Sequence, residues 1–258
     1  MQNNRYNLQR FENKFVNFLV CGTKKGGTTT LDFFLREHDY LCMANRKEVH
    51  FFDKDVYFRK PKLPNYSKYH SFFSLKSSHN LIGESTPIYM YWYEAPKRIW
   101  EYNPDMKLIL ILRNPIERAY SHWNMEYSRG KENLSFFDAI KNEEKRCRKA
   151  LPKQHRIYSY VDRGFYLDQI KRLWFFFPKN QVIIIKNEDL RKNNCETLNK
   201  ICDFLNIDQF KTVEQKEKNS RKYQSKITDD EINFLKSIYE YDIKGLEREL
   251  GWDCSNWL

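Results

Sequence analysis

An apolar run, Phe15-Val16-Asn17-Phe18-Leu19-Val20, leads into Cys21-Gly22-Thr23-Lys24-Lys25-Gly26-Gly27-Thr28-Thr29-Thr30, and Leu31-Asp32-Phe33-Phe34-Leu35 follows. The first run reads as a buried strand over 15–21 and the last as the opening of a helix over 28–37. A glycine-rich turn between strand and helix presents backbone N–H groups and a helix N-terminus to an anion. Lys24 and Lys25 add full positive charges, and the hydroxyls of Thr28, Thr29 and Thr30 add donors beside the first-turn amides. An ordinary turn of this kind needs a glycine for a positive φ angle. That need does not account for adjacent glycines set among two lysines and three threonines. The chain is expected to hold a phosphate-bearing ligand here.

The nucleoside-triphosphate pattern is G-x-x-x-x-G-K-[ST]. Gly22 and Gly27 have its spacing, but Thr28 stands where its lysine belongs, and the lysine here is Lys25. An Mg-ATP enzyme also needs an Asp at the end of a buried strand. The most apolar strand, over 107–112, ends instead in Arg113-Asn114-Pro115. A cation there suits a second anionic group rather than a metal. Ser121 lies two helical turns beyond Asn114, so Arg113 and Ser121 can share one phosphate if the helix faces it. The expected ligand has two separate phosphate groups and needs no metal.

Composition narrows the class. A chain of 258 residues with 19 Phe and 17 Tyr can bury a substantial core, which argues against disorder. The net charge of +11 suits a multiply anionic ligand, nucleic acid or an acidic membrane face. The basic residues are dispersed, with short clusters only at 59–60 and 145–149, so a nucleic-acid partner is not expected. No apolar run approaches membrane-spanning length, so no membrane partner is expected. Six cysteines show neither C-x-x-C spacing nor a Cys/His cluster, so no metal site is expected.

Strands are expected at 15–21, 41–43, 81–84, 107–112 and 181–186. Helices are expected at 28–37, 91–101, 115–128, near 135–149, 164–177 and 194–205, and at 229–239 and 242–250. Strands alternating with helices imply an α/β fold: a three-layer α/β/α domain of P-loop-like character, with a central parallel sheet and ligands at the carboxyl ends of its strands. One domain is expected over 1–258, with 1–13 as a flexible tail.

Lys25-Gly26-Gly27-Thr28 resembles the 5′-phosphosulfate loop of sulfotransferases that use 3′-phosphoadenosine 5′-phosphosulfate (PAPS), and Arg113-Asn114-Pro115-x-x-Arg118-x-x-Ser121 resembles their 3′-phosphate site. The resemblance runs from about Phe15 to about Trp252 and takes in Asp162-Arg163-Gly164-Phe165-Tyr166-Leu167, the strand at 182–186 with Glu188-Asp189-Leu190, and Asn219-Ser220-Arg221-Lys222-Tyr223. It implies PAPS as donor and 3′,5′-adenosine bisphosphate (PAP) as product. Lys24 to Thr30, Arg113 and Ser121 are the expected cofactor residues, with Arg221 and Lys222 folding over the 3′-phosphate. Arg163-Gly164-x-Tyr166 is similarly placed in relatives, near cofactor or acceptor.

Sulfuryl transfer needs a base for the acceptor hydroxyl and a positive partner for the leaving oxygen. Lys25 takes the second role, since the Lys-Gly-Gly-Thr register matches it rather than Lys24. Glu48 takes the first. In Lys47-Glu48-Val49-His50-Phe51-Phe52-Asp53 an extended chain puts Glu48 and His50 on one side. Burial beside aromatics is expected to raise the basicity of Glu48. The segment is similar to the glutamate-bearing loop of heparan sulfate 3-O- and N-sulfotransferases, with His50 matching their companion histidine. His122 is the rival base. Ser85 departs from that branch, which carries a lysine immediately before Thr-Pro; this puts a heparan-like acceptor in doubt. The aromatics Tyr57, Phe58, Tyr66, Tyr69, Phe72, Phe73, Trp92 and Trp123 either line an acceptor pocket or belong to the core.

The heparan-modifying relatives carry a membrane anchor or signal and a disulfide near the C-terminal cofactor loop. Neither is read here, so a soluble, cytoplasmic, bacterial enzyme is expected. Its acceptor is a carbohydrate or a small molecule, with natural-product biosynthesis one setting. A Mg-ATP phosphotransferase and a basic nucleic-acid-binding protein are the rival classes.

Overall fold

The computed structural model describes residues 15–59, 64–210, 223 and 225–258. Within them β1 (Phe18–Gly22), β2 (Leu41–Met43), β3 (Leu81–Ser85), β4 (Lys107–Leu112) and β5 (Val182–Lys186) form one sheet in the order β2-β3-β1-β4-β5. Every pairing is parallel, with Phe18 level with Gly83 on one side and with Lys107 on the other. From β1 the chain runs to the β2–β3 side and then crosses to place β4 on β1's other flank. The crevice at this switch opens beyond the carboxyl ends of β1 and β4.

Both faces of the sheet are covered. Leu108, Leu110 and Leu112 of β4 point into one apolar cluster, while Ile109 and Ile111 point into the other, as the two-residue period of a strand dictates. The second cluster takes α1 (Thr28–Arg36) and α9 (Asn194–Leu205) through Leu31, Phe34, Leu35, Leu198 and Ile201. The first takes α3 (Ala95–Tyr102), α4 (Pro115–Ser128), α7 (Tyr166–Phe176) and α10 (Asp229–Leu250) through Ile99, Ala119, Ile170 and Ile243. Each such Leu, Ile or Phe side chain contributes about 1.5–3 kcal/mol when fully buried. The short helices α2 (Tyr66–His70), α5 (Phe136–Lys141), α6 (Glu143–Cys147) and α8 (Asn187–Lys192) complete the set among the described residues. This is the expected three-layer α/β arrangement with a parallel sheet.

Several boundaries differ from expectation, each for an identifiable reason. β1 starts at Phe18 because Asn17 donates its amide to Ile82 (2.7 Å) and accepts that residue's amide on its side chain (2.9 Å). The helix expected at 91–101 begins at Ala95, with Pro96 in its first turn, where a missing N–H costs nothing. The helix expected near 135–149 is two. The Asn142 side chain donates to the Asp138 carbonyl at 2.8 Å, and Glu143 turns to accept the amides of Val161 (2.6 Å) and Asp162 (2.8 Å). The helices expected at 229–239 and 242–250 are the single α10, opened by a Thr228–Glu231 capping box. Leu235, Tyr239, Asp242, Ile243 and Leu246 continue one buried stripe through the supposed break. Asp242 also caps α7, accepting from the Tyr166 (2.9 Å) and Leu167 (3.2 Å) amides. The aromatics left open between pocket and core go to the core: Tyr69, Phe73, Trp92 and Trp123 are buried in the first cluster, and Tyr57, Phe58, Tyr66 and Phe72 pack against it.

Candidate active site

The turn after β1 is held from behind by backbone. Gly27 caps α1 in the left-handed region (φ 105°), where a side chain is strained. A Cβ on Gly27 would lie 2.4 Å from Asn187 Nδ2, and one on Gly26 would lie 2.4 Å from the Ile111 carbonyl oxygen. Asn187 Nδ2, at the end of β5, donates to the Gly26 carbonyl at 2.8 Å and pins the turn. Gly27→Ala is therefore expected to lower stability by about 1–3 kcal/mol, read as a lower denaturant midpoint. An unchanged midpoint would contradict this account of the turn.

Beyond the turn lies a cavity of about 1010 Å³. Lys24, Lys25, Gly27, Thr28, Thr29 and Thr30 form part of its wall, and Arg113 and Ser121 are also in it. Arg113 follows β4 directly; its Nε and Nη2 donate to Glu117 at 3.0 and 2.7 Å, and its carbonyl accepts from Tyr166 Oη at 2.8 Å. Asn114 caps α4 by accepting the Ile116 amide at 2.9 Å, and Pro115 occupies the first turn. Gly26 supports the wall without being part of it. Arg221 and Lys222 lie outside the described residues. Their described neighbour Tyr223 is in the wall and stacks on Tyr120, with ring centroids 5.4 Å apart.

Lys47, Glu48 and His50 belong to the same cavity. Their segment is not extended as expected. Glu48 (φ 61°) and His50 (φ 58°) are both left-handed, the Glu48 amide donates to the Ser85 carbonyl at 3.0 Å, and Val49 and Phe51 are buried. The two side chains meet all the same: Glu48 Oε1 accepts from Lys47 Nζ at 3.1 Å, and Oε2 lies 3.3 Å from His50 Nε2. His50 Nδ1 lies 3.1 Å from Asp53 Oδ2, and fully buried Asp53 takes Arg156 Nη1 at 2.5 Å.

This chain of charges overturns the expected rise in Glu48 basicity. Burial pushes the carboxyl up, but the His50 hydrogen bond and the Lys47 charge outweigh it and hold the pKa at about 2. Burial pushes His50 down, but Asp53 and Glu48 raise it to about 9. The pair is thus carboxylate and imidazolium around neutral pH. Beneath it, fully buried Glu84 accepts from Tyr69 Oη (2.9 Å), Tyr89 Oη (2.9 Å) and Thr86 Oγ1 (2.6 Å). Tyr89 Oη also accepts the Phe51 amide at 2.9 Å, tying the Glu48 loop to the end of β3.

Lys24 Nζ pairs with Glu126 Oε1 of α4 at 3.0 Å. Burial, with the Arg163 cation adding to it, brings Lys24 down to about 8. His122 is fully buried behind this pair, its Nε2 3.6 Å from Glu126 Oε1. Burial and then the Lys24 charge hold it well below the usual imidazole range, so it is neutral. Arg163 is buried too: its Nε donates to Ser159 Oγ at 2.8 Å and its guanidinium lies 4.2 Å from the Tyr91 ring centroid. No group of three His, Cys, Asp or Glu among the described residues is placed to hold a metal.

Sequence reasoning missed Asp53, Glu126, Arg156 and Asn187 as parts of this site. Asp53 stands three residues after His50 and Glu126 four after His122, spacings that put each on its histidine's side of a turn. Arg156 and Asn187 carry no local signal. Their partners lie 103 and 161 residues away.

A parallel α/β sheet with a glycine-rich turn after its central strand, and an arginine at the next strand end, defines a P-loop-like α/β protein. Residues 16–245 match the family model described as "Sulfotransferase domain", and the chain belongs to that family. It is 31% identical over 194 residues to human heparan sulfate glucosamine 3-O-sulfotransferase 6, covering 75% of this chain and 53% of that protein. Human bifunctional heparan sulfate N-deacetylase/N-sulfotransferase 2 is 28% identical over 207 residues, covering 75% of this chain and 22% of that protein. The chain thus spans about half the length of the first and about a fifth of the second. A sulfotransferase from Alicyclobacillus acidocaldarius shares the fold, with a TM-score of 0.81 over 95% of this chain and 99% of that one, at 24% identity. No helix of the described residues is long and apolar enough to cross a membrane.

Proposed function

We propose that this protein transfers a sulfuryl group from PAPS to a hydroxyl or amine of a carbohydrate or small-molecule acceptor. One observation carries the reading: a single cavity is bounded by the Lys24–Thr30 turn, Arg113 and Ser121, and also by Glu48 and His50. The residues fit such a donor. Two cationic and hydroxyl-bearing clusters suit two phosphate groups, and the close approach of Gly26 to Ile111 and of Gly27 to Asn187 leaves no room for a side chain at either position of the turn. The donor supplies an activated sulfuryl group beside one phosphate and carries the 3′-phosphate elsewhere. Lys25, Gly27 and Thr28 to Thr30 bind the first end, and Arg113 and Ser121 bind the second. Arg221 and Lys222 are assigned to the 3′-phosphate on the resemblance alone.

On the acceptor side of the cavity, Glu48, ionised but weakly basic, accepts the hydroxyl's hydrogen bond and takes its proton only as the bond to sulfur forms and the hydroxyl becomes acidic. Each of its oxygens has one protein partner, which leaves lone pairs for the acceptor. Asp53 and Arg156 hold His50, and His50 holds Glu48. Lys25 places positive charge where the leaving oxygen becomes negative. Ser85, which stands where the heparan-modifying branch has a lysine, is 1% exposed and outside the cavity wall, so it offers an acceptor no charge, and the carbohydrate acceptors named for the heparan relatives support the sugar alternative. A cytoplasmic setting and natural-product biosynthesis belong to the same proposal, the first resting on the unpaired cysteine spacing.

Thermal-shift titration tests the reading. PAP without metal at about a hundred times its dissociation constant is expected to add about 2.7 kcal/mol to the folded state, and Mg-ATP much less. Stabilisation by Mg-ATP and not by PAP would move the protein to the phosphotransferases.

A further inference from the structure

We propose that Glu126 is a positioning residue, whose buried carboxylate keeps the Lys24 ammonium charged and held in the wall of the anion-binding cavity. The proposal rests on the sulfotransferase reading in naming the anion as PAP.

The geometry is specific. Glu126 is 2% exposed, yet both it and Lys24 belong to the cavity wall. The 3.0 Å ion pair joins the β1–α1 turn to α4 across 102 residues of sequence. A buried carboxylate is costly unless paired, and its partners here are Lys24, with Arg129 Nη1 at 3.8 Å and His122 Nε2 at 3.6 Å from the same oxygen. The Glu126 charge therefore acts chiefly on Lys24.

Lys24 needs that help. It is faced by Glu126 and His122 from α4, by Arg163 from the segment before α7 and by Glu48 from the loop after β2, while Arg129, just past α4, meets the same Glu126 oxygen and Lys25 is its neighbour in the turn. Burial and Arg163 strip its proton, while Glu126 foremost and Glu48 next restore it. The balance leaves the ammonium at about 8, close above the neutral range. Without Glu126 the balance tips further toward the neutral amine, which offers an anion less charge.

The experiment is the affinity for PAP by titration calorimetry between about pH 6.5 and 9.5, a window around the ordinary working range. In the wild type the dissociation constant is expected to rise above about pH 8, by up to about tenfold per pH unit. E126Q is expected to start that rise at least about one pH unit lower. K24R is expected to be flat across the window, because a guanidinium keeps its charge. The double variant E126Q/K24R is expected to be flat as well and to regain the affinity that E126Q loses near pH 8, a rescue that a merely structural role for Glu126 would not give. A loss of affinity in E126Q that is equal at every pH would overturn the proposal. So would an alkaline rise that survives in K24R, since it would then belong to His50. Should E126Q not fold, E126D is expected to move the rise in the same direction by less, and an unmoved rise counts against the proposal. A wild-type protein that binds no PAP at any pH refutes the sulfotransferase reading, and this proposal with it.

Discussion

Glu48→Gln is expected to leave the affinity for PAP within about twofold of wild type while cutting sulfuryl transfer by about 10²–10⁴-fold, the range a positioned general base supplies. The substitution keeps the shape and removes the negative charge. Glutamine can still meet Lys47 or His50 with its oxygen, but it cannot take a proton. The pH dependence follows from the groups around it. Glu48 is ionised above about 2 and His50 is protonated below about 9, so the pair keeps one protonation state through neutral pH. No acid limb from Glu48 is expected near neutrality; the alkaline limbs belong to Lys24 at about 8 and His50 at about 9. A Glu48→Gln enzyme with near-normal turnover would remove Glu48 as the base. His122 would not inherit the role easily, since it is fully buried outside the cavity wall and its lowered basicity makes it a poor proton acceptor.

Lys25→Ala is expected to act on binding and rate together. Transfer should fall by about 10²–10³-fold, the cost of losing one charge aimed at a developing oxyanion. PAP affinity should fall by about tenfold or more, since the ammonium also meets the phosphate in the ground state. Calorimetry and single-turnover transfer separate the two effects. Lys24→Ala is the control: its ammonium is engaged with Glu126 at 3.0 Å, so its loss should weaken binding more than it slows transfer. Equal binding and equal rate in Lys25→Ala would sink its assigned role.

Much of the architecture was legible because its causes are local. The β1 turn and α1 announce themselves in adjacent residues: an apolar run, glycines that a positive φ and close backbone approach require, then hydroxyls at a helix start. The limits of β4 and α4 follow from an unbroken aliphatic run and an Asn-Pro cap, and both were read to the residue. Where the reading slipped, a side chain from elsewhere had intervened, as with Glu143 reaching Val161 and Asp162. The unbroken α10 is different: its buried stripe was present in the sequence, but which face would be covered was not.

The site divides the same way. The sequence alone determined that Lys25, Thr28 and Arg113 meet in one cavity wall, because they sit at strand ends that any parallel α/β sheet brings together. Only the tertiary structure decided how those groups are held and charged. Asn187 pins Gly26 from 161 residues away, Arg156 reaches Asp53 across 103, and Glu126 meets Lys24 across 102. The sign of the Glu48 shift was likewise a tertiary matter. Burial and neighbouring charge oppose one another, and their balance depends on ångström distances to Lys47 and His50. Residue order does not encode such distances until the chain has folded.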